Sequence, residues 1–121
     1  MSEALALLDG PLVALVRDLP GVLAPLTVRD GEVRALLVFG DGEAAAAHAA
    51  SLPEPRRGEF RLQRAAAGDW RGKEELLRAG AAAGATRVDL DVDASLRPAA
   101  SLPLATALAY VLSYKSGTAC L

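Results

Sequence analysis

The chain has no isoleucine and no asparagine, one histidine, one glutamine and one cysteine among its 121 residues. Because Cys120 stands alone, no intramolecular disulfide can form, and the fold must be held by its core. Only five aromatic residues are present, Phe39, Phe60, Trp70, Tyr110 and Tyr114, so leucine, valine and alanine have to fill that core. An excess of charge of one sign is also lacking. The formal net charge is −2, with both signs mixed along the chain. The only adjacent basic pair is Arg56-Arg57, in a proline-rich loop, so the electrostatic footprint of a nucleic-acid binder is absent. No apolar run reaches the roughly 20 residues a spanning helix needs. The longest uncharged stretch, from Pro98 to Tyr114, is shorter and holds Pro103, Ser and Thr, so a buried or interface helix is expected there and no membrane span. The N-terminus carries no basic signal-peptide region, which points to the cytoplasm.

What is present suits one domain, 1–121. Half the residues are apolar and a quarter charged, as in ordinary globular domains. From Ser2 to Leu19 the pattern predicts helix, in two pieces broken at Gly10-Pro11. Ser2 caps the first, and Leu12, Leu15, Val16 and Leu19 fall at helical spacing in the second. Pro20-Gly21 ends it. Val22 to Val28 and Val33 to Phe39 read as a hairpin about Arg29-Asp30-Gly31-Glu32. The second of these strands is almost continuously apolar, as a central strand buried on both faces would be. Asp41 caps an alanine helix over 44–50, and 51–58 is a loop. Glu59 to Arg64 alternates like a half-exposed strand. Asp69 caps a helix from Trp70 to about Ala83, with Gly84 just past its end. Thr86 to Asp93 alternates strictly, with Val88, Leu90 and Val92 on one face and Asp89, Asp91 and Asp93 on the other. After a linker over 95–100, Ser101 or Leu102 opens a last helix that Gly117 ends, leaving a short apolar tail. The expected fold is α/β (α+β): a small mixed sheet of four to five strands including the hairpin, with three to four helices packed on it.

The run Leu36-Leu37-Val38-Phe39-Gly40-Asp41-Gly42-Glu43-Ala44-Ala45 leads through a loop and strand to a helix ending at Gly84 and the strand Val88 to Val92. In that order the segment 22–93 resembles the SseB-type N-terminal domain. The resemblance implies a small α/β unit and carries no well-defined chemistry.

Four features bear on function. Asp89 and Asp91 could flank a hard cation such as Mg²⁺, but alternate strand residues lie ~6.5–7 Å apart, and a solvated face paired with Arg61 or Arg87 is the simpler reading. Asp41 and Gly42 begin a helix, where backbone N–H groups can hold a small anion, yet the carboxylates of Asp41 and Glu43 repel one. His48 has Glu43 and Ser51 near in sequence, which makes no triad by spacing alone, so no catalytic residue is assigned. Cys120 follows a helix C-terminus, which disfavours a thiolate. No cofactor is expected. The reading that follows is a non-enzymatic interaction or assembly module, a homo-oligomer or the binder of another protein. It would dimerise through Leu108, Val111 and Tyr114 of the last helix, and Trp70 would anchor the core edge. The alternative is a divalent-metal-dependent enzyme using Asp89 and Asp91.

Overall fold

The computed structural model describes residues 2–52, 59–93 and 97–120, apart from the side chains of 2, 3 and 115–120. The Ser2 cap, most of the 51–58 loop with Arg56-Arg57, residues 94–96 of the linker and the Cys120 thiol lie outside the described residues. Within them the class is α+β, with four helices and seven strands in two sheets.

Helix α1 (Ser2–Asp9) stops at Gly10-Pro11 as expected. The next segment does not resume as helix: Leu12–Leu19 is strand β1. The reason lies in burial. Leu12, Val13, Ala14, Leu15 and Val16 are all buried in unbroken succession, whereas a helix on a core hides only a stripe. Leu12, Ala14 and Val16 enter one core cluster, and Val13 and Leu15 enter the other. Pro20-Gly21 is therefore a hairpin turn, joining β1 to β2 (Val22–Pro25) with Leu19 opposite Val22. Proline fixes the first central position and Gly21 takes the second at φ +72°, the pattern of a type II turn.

The strand expected over 22–28 bends at Leu26 and serves both sheets. Leu26 donates its N–H to Leu15 O (2.7 Å) and accepts at its carbonyl from Leu37 N (3.4 Å). Beyond the bend, β3 (Thr27–Asp30) pairs with β4 (Val33–Val38) across the Gly31-Glu32 turn, as the Asp-Gly signal predicts. Gly31 alone has positive φ there (+63°), and glycine at the first central position matches a II′ turn.

Helix α2 (Gly42–Ala50) is capped by Asp41, whose Oδ1 accepts from Ala44 N at 2.7 Å. Strand β5 (Arg61–Ala65) follows, then α3 (Trp70–Ala82), capped by Asp69 on Gly72 N at 2.9 Å. Strand β6 (Arg87–Leu90) is shorter than the alternation predicts, because Asp91 turns to φ +51°. Ser101 and Leu102 do not open a helix: they belong to β7 (Ala100–Pro103), with Asp89 opposite Ser101 and Val88 opposite Leu102. Pro103 closes this edge strand, where a missing N–H does little harm. Helix α4 (Leu104–Cys120) then passes Gly117 without ending, so the tail up to Cys120 is helical.

One sheet is antiparallel in the order β2-β1-β5, and the other is β3-β4-β6-β7, mixed through the parallel β4/β6 pair. The mixed four-stranded sheet is of the expected kind, but its fourth strand is β7, and the strand expected from Glu59 to Arg64 lies in the other sheet as β5. The second sheet arises because Leu12–Leu19 is extended. Reciprocal bonds between Val13 and Phe39 (2.7 and 2.8 Å) staple the two. Leu36, Val38, Val88, Leu90 and Leu102 meet helices α1, α3 and α4 in the larger core, while Leu37 and Phe39 meet Ala45 and β1 in the smaller. Among the described residues, no helix is long and apolar enough to cross a membrane.

Candidate functional site

The aspartate ladder is dismantled by the chain itself. Asp89 is only 4 % exposed, so it is no solvated face. Its Oδ1 accepts from Arg87 Nε (2.9 Å) and Ser101 Oγ (2.8 Å), and its Oδ2 accepts from Arg87 Nη2 (3.1 Å). Arg87 Nη1 also reaches Asp30 on the outer strand (3.1 Å). Arg61, the other expected partner, is bound to Asp18 at the edge of the second sheet. Asp91 turns away and accepts from Gly40 N (2.7 Å), tying β6 to the end of β4. Asp93 accepts from Arg97 N (3.0 Å). Three carboxylates that alternate in sequence thus have three separate partners. A cavity of about 390 Å³ lies over Asp30, Arg87, Asp89 and Ser101. Among the described residues no three His, Cys, Asp or Glu side chains gather as metal ligands.

The other marked residues are dispersed. Asp41 spends its carboxylate on its own helix, and a Cβ at Gly42 would collide with the Arg64 guanidinium. His48 is buried beside Phe39, with ring centroids 5.4 Å apart, and burial holds its pKa below the usual imidazole value. His48, Ser51 and Asp93 do line one cavity of about 240 Å³. Ser51 Oγ, however, donates to the His48 carbonyl (2.6 Å), so its proton is not directed at an imidazole. Of the three interface residues, Val111 is fully buried in the chain's own core and Leu108 is half-buried against it. Tyr114 is 43 % exposed and stacks flat on Trp70 (4.5 Å, 8°).

Beneath that stack lies a residue that sequence reasoning missed. Lys73 is 0 % exposed and extends its Nζ over the Trp70 ring, 4.0 Å from the centroid. Its ammonium donates to Leu8 O (2.7 Å), Asp9 O (3.3 Å) and Ala67 O (2.7 Å). Two of these acceptors are carbonyls at the end of α1 that have no helical partner, so Lys73 caps that helix from a distance. Burial lowers its pKa, and the charges of Asp9 and Asp69 oppose the shift. Asp9 also accepts from Tyr110 Oη (2.6 Å), which pushes the phenol well above its ordinary value.

One cavity presents charge that is not satisfied in this way. It measures about 620 Å³ and lies at the bend between β2 and β3, with Arg17, Arg29, Arg34 and Phe60 among its walls. The two-residue turn sets Arg29 directly opposite Arg34. Side chains so placed have Cβ atoms roughly 5 Å apart, and like charges there are destabilising. Arg34 donates to Thr27 Oγ1 (3.0 Å), a neutral acceptor. Among the described residues, Arg29 has no hydrogen-bond or ion-pair partner. Arg17 reaches Glu59 only at 3.4 Å, and its Nε is buried with no acceptor. Three guanidiniums, one distant carboxylate and an orphaned donor make a local positive field that an oxyanion would neutralise. The signal was in the sequence: a turn at Gly31-Glu32 dictates that 29 faces 34. Arg17 could not have been added, because it required β1 to be a strand.

No protein-family model matches the chain, and comparison with curated proteins gives no match.

Proposed function

We propose that this domain is a non-enzymatic binding module, working in the cytoplasm, whose occupant is an anion seated at Arg17, Arg29 and Arg34. The observation that carries this reading is the Arg29–Arg34 pair, set opposite each other at the wall of a 620 Å³ cavity with Arg29 unpartnered among the described residues. Two guanidiniums facing each other repel, and an anion between them relieves that repulsion. The SseB-type likeness of 22–93 is compatible with it, since it implies a scaffold without fixed chemistry. The test is thermal stability in phosphate, sulfate and acetate at matched ionic strength. Ligand that binds only the folded state raises Tm in proportion to occupancy. The expected result is a concentration-dependent rise for the native chain that disappears in the Arg29→Ser, Arg34→Gln double variant. No rise above the ionic-strength control, or an equal rise in the variant, would overturn the reading.

A second reading is self-association through α4, favoured by the flat Trp70–Tyr114 stack at its exposed side. Sedimentation at high concentration tests it, and a strict monomer removes it. The metal-dependent alternative at Asp89 and Asp91 requires Arg87 to leave both oxygens of Asp89, for which a divalent cation must compensate.

A further inference from the structure

The arginine cavity carries its charge at two ends. Among the described residues, those lining it include three arginines and no aspartate or glutamate. Glu59 answers one of the three, Arg17, at 3.4 Å. Two positive charges are left over, so a ligand with a single carboxylate would leave the site positive. The arginines also stand on different limbs of the fold. Arg17 of β1 lies opposite Ala24 of β2, and Arg29 of β3 lies opposite Arg34 of β4. From Ala24 to Arg29 the chain spans about 16 Å if fully extended, and less across the bend at Leu26. One head seated between Arg29 and Arg34 therefore leaves Arg17 for a second.

Arg17 is poorly settled by the fold. Its Nη1 reaches Glu59 only at a length that is weak for a charge-assisted bond, and its Nε is buried with no acceptor. A buried donor without a partner is costly. A turn of the guanidinium that brings Nε to an oxyanion gives up only the long Glu59 contact and a ring whose centroid is 5.9 Å away. Between the two charged ends runs Pro25 to Val28, in a wall about as polar as it is apolar. The volume, about 620 Å³, lies in the range of sites for small organic ligands.

We infer that the occupant is a small dicarboxylate: one carboxylate between Arg29 and Arg34, the other at Arg17, and a short methylene chain along Pro25 to Val28. The inference rests on the anion reading given under Proposed function and adds the second head. A planar carboxylate matches the guanidinium fork at each end. Two heads neutralise the two excess charges, and a ligand polar at its ends and apolar in its middle suits the mixed wall.

The experiment is calorimetric titration of the full chain, at fixed ionic strength, with hexanoate, succinate, glutarate, adipate and inorganic phosphate. At least one dicarboxylate is expected to bind tenfold or more tightly than hexanoate, which has the length of adipate and one head. The same dicarboxylate is expected to exceed phosphate, whose charge is concentrated on one head, by tenfold as well. Arg17→Gln alters a part-exposed side chain. It is expected to lower the dicarboxylate's affinity fivefold or more while hexanoate's stays within twofold. Dicarboxylates no tighter than hexanoate, or no tighter than phosphate, would overturn the inference and leave the anion reading standing. An equal loss of hexanoate and dicarboxylate in Arg17→Gln would do the same. Absence of binding by all five would overturn both.

Discussion

Around Lys73 the chain supplies a partner for every proton: two carbonyls from the end of α1, a third from Ala67, and a Trp70 face alongside. Around Arg29, on the same domain and of the same charge, it supplies another arginine. Asp89 belongs with Lys73, since Arg87 and Ser101 fill its oxygens from two sides. Burial follows the same division. Lys73 and Asp89 are inside, where an unpaired charge costs several kcal/mol, about 3–5 when a partner is stripped from a buried pair. Arg29 is exposed, where lacking a partner costs little. Satisfied charges in this domain hold elements together; the unsatisfied ones are tolerated at a cavity mouth. The difference separates residues that explain the fold from residues left to explain binding.

The sharpest way to break this division is to remove the charges one at a time. Lys73→Met keeps the apolar stem over Trp70 and deprives Leu8, Asp9 and Ala67 of their shared donor. Each buried carbonyl left unpaired costs roughly 1–3 kcal/mol, and the α1 end can recover some water, so the expected loss is about 3–5 kcal/mol by urea unfolding. A loss below about 1 kcal/mol would place Lys73 with the surface arginines and end the distinction.

Asp89→Ala comes next. It orphans Ser101 and leaves Arg87 with only the exposed Asp30. Because Arg87 is itself part-exposed, the expected loss is smaller, about 2–3 kcal/mol. The native chain is expected to show no Mg²⁺- or Mn²⁺-dependent rise in Tm, since Arg87 already holds both Asp89 oxygens. A rise that Asp89→Ala abolishes would restore the metal-dependent alternative.

How much of this was legible beforehand depends on the range of the forces involved. The Gly31-Glu32 hairpin, the Asp41 and Asp69 caps and the buried run Ala35–Val38 of β4 were readable because each is decided within a few residues. Strand β1 was misread because Leu12, Leu15, Val16 and Leu19 satisfy a helical period while Leu12 to Val16 also form an unbroken apolar run. Short runs of that kind are resolved only by what packs on both sides. Strand β7 was hidden for a similar reason: its pairing with β6 lies outside its own sequence. The aspartate alternation over 89–93 was real as a pattern and failed as geometry, since one left-handed residue, Asp91, ends the strand's phase. The Arg29–Arg34 face needed only the hairpin register, and so belonged to the legible part of the chain. Lys73 did not, because two of its three acceptors are more than 60 positions away at the end of α1.

His48 tests the middle of the comparison, a titratable group that is buried without a strong partner. Its folded pKa is depressed by burial, so the unfolded chain takes up a proton first as pH falls below the unfolded value of about 6.5. Its contribution is therefore full above pH 6.5 and is lost as pH falls toward the folded pKa. The slope cannot exceed about 1.4 kcal/mol per pH unit for one proton. Urea midpoints between pH 7.5 and 5 are expected to fall in the native chain, and the part due to His48 to disappear in His48→Gln, with carboxylates supplying whatever slope is left. An unchanged slope in that variant would mean the ring is solvated after all.

The smallest effect in stability is the most informative about function. Arg29→Ser removes one of two like charges facing each other across β3 and β4, and breaks no hydrogen bond or ion pair found among the described residues. Without anions that bind, the variant is expected to equal the native chain or exceed it by up to about 0.5 kcal/mol. Salt should shrink the gain, because exposed charges are screened over roughly 10 Å at moderate ionic strength. With a bound oxyanion the order should invert: the native chain gains stability by mass action, and the variant gains less. A crossing of the two stability curves as anion is added is thus the expected signature of an arginine pair kept for a ligand. If Arg29→Ser is instead destabilising in anion-free buffer, Arg29 supports the fold, and the contrast with Lys73 disappears.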